Sequence, residues 1–91
     1  MINNLGLAYK AKKIAIGTDL SIEKMRQKKA VMILLASDAS ENTQKKIRDK
    51  ASFYGIDVMD TFTSEQLSQP IGKGQIKVIA ILDEGFKKII I

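Results

Sequence analysis

The chain has no cysteine and no histidine, which removes disulfides, thiolate nucleophiles, zinc fingers and every imidazole-based general base. Tryptophan is absent and Pro70 is the only proline. No Gly/Ser-rich linker, repeat or low-complexity block divides the sequence, so its 91 residues read as one domain, residues 1–91, with a single modest core. No apolar run approaches the ~20 residues that span a bilayer. The opening Met1-Ile2-Asn3-Asn4 lacks the charged start and long apolar stretch of a signal peptide. Together these absences lead to the expectation of a reducing, cytoplasmic protein with no membrane partner.

What is present is an excess of cations. Fifteen Lys and Arg against ten Asp and Glu give a net charge of +5, which attracts polyanions, nucleic acid foremost among them. Lys10-Lys12-Lys13, Lys45-Lys46-Arg48-Lys50 and Lys87-Lys88 fall on helix faces and read as solvated surface that adds diffuse attraction.

Helices and strands alternate along the chain. Leu5 to Lys13 carries Leu7, Ala8 and Ala11 at helical spacing. Ile14 to Ile16 is a short strand, and Thr18 to Lys29 a second helix with Ile22 and Met25 inward. Val31 to Ala36 is a strand apolar on both faces, which requires helices above and below a sheet with parallel strands. Asp38 with Glu41, or Ser40 itself, caps a third helix from Glu41 to Tyr54, and Gly55 ends it. Ile56 to Asp60 is a third strand, Thr63-Ser64-Glu65-Gln66 is a capping box for a short helix through Gln69, and Ile76 to Leu82 alternates as the last strand. Asp83 opens a terminal helix ending at Ile91. The implied architecture is α/β, a three-layer α/β/α sandwich on a four-stranded mixed sheet. Met32, Met59, Phe53, Phe62 and Phe86 fit core positions rather than stacking platforms.

Two segments carry candidate chemistry. The start of the second helix, behind Gly17, presents free amide donors and the positive end of the helix dipole, an arrangement suited to phosphate. On a wheel of about 100° per residue, Leu20, Glu23, Lys24, Gln27 and Lys28 point outward, and Lys24 and Lys28 lie where a nucleic-acid backbone would pass. Leu20 among these charges is either a packing residue for a neighbouring helix or part of a contact surface. The second segment is the loop Ile71-Gly72-Lys73-Gly74-Gln75-Ile76-Lys77, either a mobile cationic turn fitted to phosphate or a splayed base, or a plain connection. In a sandwich of this kind it can lie beside the start of the second helix.

Catalysis is not expected. The pairs Asp38/Glu41, Asp57/Asp60 and Asp83/Glu84 are explained as caps or strand-edge surface, and Ser37, Ser40 and Ser64 have no histidine to serve as base. Gly72-Lys73-Gly74 is too short for a nucleotide-binding glycine loop. No cofactor, metal or small-molecule substrate is implied.

Leu5-Gly6-Leu7-Ala8-Tyr9-Lys10-Ala11, Gly17-Thr18-Asp19, Ala36-Ser37-Asp38-Ala39-Ser40-Glu41-Asn42-Thr43 and Ile71-Gly72-Lys73 together resemble the L-seven-Ae family of ribosomal and kink-turn RNA-binding proteins, in its bacterial YlxQ-type branch. The resemblance implies the same sandwich and a non-enzymatic protein that binds kink-turn or ribosomal RNA, in association with the ribosome. In that family the start of the second helix enters the groove beside sheared G·A pairs, and the loop before the last strand covers a flipped-out base. The implied RNA-binding residues are Gly17, Thr18, Asp19, Leu20, Glu23, Lys24, Lys28 and the loop Ile71, Gly72, Lys73, Gly74, Gln75, Ile76 and Lys77.

The chain departs from the family pattern at three places. The family's Asn-Glu pair reads Asp19-Leu20, its guanine-facing Lys reads Glu23, and its apolar loop reads Lys73-Gly74-Gln75-Ile76-Lys77. A carboxylate at Glu23 repels phosphate and accepts only from amino groups, which shifts base readout onto Lys24. The same substitutions support an alternative, a protein-interaction adaptor using Leu20 and the Ile89-Ile90-Ile91 tail. A monomer is expected, with those isoleucines packed on the sheet or on another copy.

Overall fold

The computed structural model describes residues 4–90. In chain order the elements are α1 (Asn4–Lys10), β1 (Ile14–Ile16), α2 (Thr18–Arg26), β2 (Met32–Leu35), α3 (Glu41–Tyr54), β3 (Asp57–Met59), α4 (Ser64–Ser68), β4 (Val78–Ile81) and α5 (Glu84–Ile90). The end of the terminal helix expected at Ile91 lies outside the described residues.

The four strands form one mixed sheet in the order β1-β4-β2-β3. Only β2 and β3 run parallel; β4 is antiparallel to both its neighbours. The expectation of parallel strands therefore holds for one pair. Between β2 and β3 the long helix α3 returns the chain to the same end of the sheet, whereas α4 and its loop deliver β4 from the opposite end.

Helices α2 and α3 pack together on the sheet, and α1 packs with α5, which rests on β4. Two helical layers enclose the sheet, completing the three-layer sandwich. All four residues of β2 and all four of β4 are buried, because the two central strands are covered on both faces. The alternation expected for the last strand is thus absent. Around the sheet, Leu5, Met25, Ile47, Leu67 and Ile90 supply fully buried side chains from the five helices.

Helix ends follow their caps. Ser40 Oγ accepts from the Thr43 amide at 3.2 Å to start α3, and Gly55 at φ 71° ends it. The amides of Gly55 and Ile56 return to Ser52 and Ala51, the paired bonds of a Schellman motif. Helices α1 and α2 end with the same paired bonds, but their left-handed residues are Lys12 (φ 59°) and Lys28 (φ 60°). Both helices therefore stop three residues short of the sequence-based expectation. The capping box of α4 is present as expected, with Thr63 and Gln66 each bonding the other's amide. Asp83 Oδ2 accepts from the Phe86 amide at the start of α5.

One core expectation fails outright. Phe53 is 79 % exposed on the outer side of α3, in edge-to-face contact with Tyr54. Met32 is buried, and Met59, Phe62 and Phe86 are half-buried against the core.

Candidate nucleic-acid interface

Gly17 sits at φ 112°, ψ 156°, a conformation that side-chain-bearing residues rarely adopt. This lets its amide donate to the Val78 carbonyl at 2.8 Å while its own carbonyl accepts from Ser21 at 3.0 Å. One residue thus begins α2 and ties that beginning to the first residue of β4. Gly17 supplies no side-chain cap to α2, so among the described residues the first helical amides have no capping partner at the N-cap, beside Gly17 and Thr18.

The loop before β4 is anchored from inside. Ile71 and Ile76 are buried, and the buried Ser68 hydroxyl accepts from the Ile76 amide at 2.9 Å while donating to the Ser64 carbonyl at 2.6 Å. Between those anchors Gly72, Lys73, Gly74 and Gln75 are exposed, with Gly72 and Gln75 at positive φ. The expectation that Ile71 and Ile76 face a ligand is corrected here: their side chains belong to the core, and their role is to hold the loop.

Loop and helix start share a groove of about 310 Å³ lined by Gly17, Thr18, Lys73, Gly74, Gln75 and Lys77 among others. On the other side of the loop a second groove of about 490 Å³ runs between Gly72 to Gln75 and the residues Ser64, Glu65, Ser68 and Gln69 of α4 and its end. Lys73 and Lys77 line both. The Lys73 ammonium lies 5.6 Å from the centre of the Tyr9 ring, within the range of a cation–π contact. The Lys77 ammonium stands 3.6 Å from Asp38 Oδ2.

Asp38 does not cap α3. Its two oxygens accept from the Ser64 amide at 2.8 Å and the Ser64 hydroxyl at 2.7 Å. Chiefly the Ser64 hydroxyl, then the Ser64 amide and, more weakly, Lys77 hold its carboxyl down at about 2.

Along the outer face of α2, Asp19 pairs with Lys46 of α3 at 3.3 Å. Glu23 pairs with Arg26 at 2.6 Å and accepts from the Gln27 amide group at 3.1 Å. Leu20 is 47 % exposed, which favours a contact surface over a packing residue. Lys24 is half-buried on the helix. Lys28 is not on the helix, which ends at Arg26; about 1.5 Å of rise per residue puts it a full helix length from Gly17. The expected pairing of Lys24 with Lys28 at one phosphate path is corrected accordingly.

A match to the ribosomal protein L7Ae/L30e/S12e/Gadd45 family spans residues 1–91. The chain belongs to that family. It is 42 % identical over 87 residues to the RNA-binding protein YlxQ of Enterococcus faecium, covering 96 % of this chain and 84 % of that one. To the RNA-binding protein YlxQ of Bacillus subtilis (strain 168) it is 40 % identical over 82 residues, covering 90 % and 82 %. Its fold superposes with a TM-score of 0.92 on a protein of unknown function from Bacillus halodurans, at 30 % identity and covering 98 % of this chain and 90 % of that one. A TM-score of 0.79 relates it to the Giardia lamblia 15.5kD RNA binding protein at 13 % identity, over 98 % and 77 % of the two chains.

Within this L7Ae-family chain, four residues near the grooves have roles that the sequence alone does not give them. Asp38 and Ser68 are the polar braces of α4 and the loop, Tyr9 underlies Lys73, and Lys46 reaches the first turn of α2. Asp38, Tyr9 and Lys46 act across elements distant in sequence, and the bond from Ile76 to Ser68 depends on how the loop folds back, so spacing carries no signal of them. Among the described residues no cluster of carboxylates could hold a metal ion, and no helix is long and apolar enough to cross a membrane.

Proposed function

We propose that the chain is a non-enzymatic, cytoplasmic RNA-binding protein that recognises structured, kink-turn-like RNA and works in association with the ribosome. The observation that carries this reading is the bond from Gly17 to Val78, which sets uncapped helix amides beside a loop bearing Lys73 and Lys77. Phosphate meets the amides and the two ammonium groups, while the exposed glycines let an RNA backbone or splayed base approach the loop closely. The YlxQ relatives are RNA-binding proteins by name, and shared family supports the same binding here. Glu23, held by Arg26 and Gln27, is engaged within the helix, which leaves Lys24, Thr18 and the loop to contact the RNA.

The test is a mobility-shift titration against a kink-turn RNA and the same RNA with its G·A pairs replaced, at low and near-physiological salt. Tighter binding to the intact motif supports kink-turn readout; equal binding leaves a general RNA binder. No binding at either salt removes the reading.

The exposed Leu20 favours a second reading, a protein adaptor of the same fold. An apolar interface changes little with ionic strength, whereas lysine–phosphate contacts weaken steeply, so the salt series separates the two.

A further inference from the structure

Helix α3 carries an outward stripe that neither the loop nor α2 accounts for. Lys46, Lys50 and Phe53 follow one another at intervals of four and three residues, so they stand on one face. Asp49 lies at the stripe's margin. Lys46 reaches across to Asp19 in the first turn of α2 at 3.3 Å, two residues along the chain from Gly17. Lys50 is exposed and has no ion-pair partner among the described residues. Phe53 is 79 % exposed, and the Tyr54 ring stands 4.9 Å away at 87° to it. That neighbour steadies the Phe53 ring while leaving most of its surface open.

We propose that this α3 stripe is a second RNA contact, taking a single-stranded flank of the bound RNA with phosphates on Lys46 and Lys50 and an unpaired base stacked on Phe53. The proposal rests on the RNA-binding reading above and extends its surface by about 10 Å along α3, from Lys46 to Phe53. An exposed aromatic ring at the end of a row of cations is an arrangement that holds single strands, because every base has a face to stack and every nucleotide a phosphate to pair. A paired base within a helix has no free face, so the ligand is a flank rather than a duplex. A protein partner fits less well. Its interface would need an apolar centre, and the residues one turn before Phe53 on this face are Asp49 and Lys50.

The experiment compares one kink-turn RNA with blunt ends against the same RNA carrying a short uridine flank on either strand. The wild-type chain should bind the flanked RNA about tenfold more tightly, and Phe53→Ala should lose that gain while keeping its affinity for the blunt RNA. Lys50→Gln should lower the salt slope by about 0.7 for the flanked RNA alone. The chain has no tryptophan, so Phe53→Trp places a single indole on the stripe, and its fluorescence should be quenched by flanked RNA and not by blunt RNA. Equal wild-type affinity for the two RNAs, or a flank gain that survives Phe53→Ala, overturns the proposal while leaving the groove site standing. Failure to bind the blunt RNA at low salt strikes the RNA-binding reading itself and removes the stripe with it.

Discussion

Asp38 grips Ser64 with both carboxylate oxygens, at 2.8 Å to the amide and 2.7 Å to the hydroxyl. The turn after β2 is thereby fastened to the first turn of α4, whose far end anchors the loop through Ser68. A carboxyl held at about 2, below its ordinary 3.8, stabilises the fold fully above the ordinary value and loses that contribution as pH falls through the lower one. Asp38→Asn should therefore lower the unfolding temperature at neutral pH. The gap to wild type should narrow from pH 4 downward and be largely gone near pH 2, as followed by circular dichroism. A gap that does not change with pH would mean the ionised carboxylate contributes nothing.

Gly17→Ala meets no steric obstacle, since nothing lies within 4 Å of the added carbon, but it forces a side-chain-bearing residue to φ 112°. The expected loss is about 1–3 kcal/mol in urea unfolding. If the chain relaxes by breaking the bond to Val78, RNA affinity should fall as well.

Lys73→Glu should weaken RNA binding strongly, and Lys73→Gln should lower the salt slope by about 1. Lys28→Glu, a helix length from the groove, should change affinity only through net charge. Equal losses for the two glutamate variants would show that the site is diffuse.

Lys12→Gly relieves a left-handed residue at φ 59° and should stabilise the protein by about 1 kcal/mol. Ser68→Ala leaves the buried Ile76 amide unpaired and should destabilise it by about 1–3 kcal/mol. Chemical denaturation measures both.

Where a segment carried its own punctuation, the sequence could be read closely. Ser40 and Gly55 mark the bounds of α3, and Thr63 with Gln66 marks the start of α4. Helices α1 and α2 overran because Lys12 and Lys28 occupy positions where glycine is the usual signal. Phe53 departs from the core expectation because it stands off the Ile47 and Ala51 stripe that α3 turns inward. For the site, Gly17-Thr18 and the Gly72–Lys77 loop stood out as separate segments, and their shared groove was expected from the fold. The inward turn of Ile71 and Ile76, the braces Asp38 and Ser68 and the reach of Lys46 depend on tertiary contacts, which no local pattern encodes.

The bond from Gly17 to Val78 also orders events in time. Most of the chain lies between these two residues, and Val78 opens a central strand of the sheet. A polypeptide emerging during synthesis thus carries α2 and α3 long before it carries the groove. Loop closure of this span must precede any grip on the ligand, so fragments and unfinished chains lacking β4 have no assembled groove, and only the finished fold presents one.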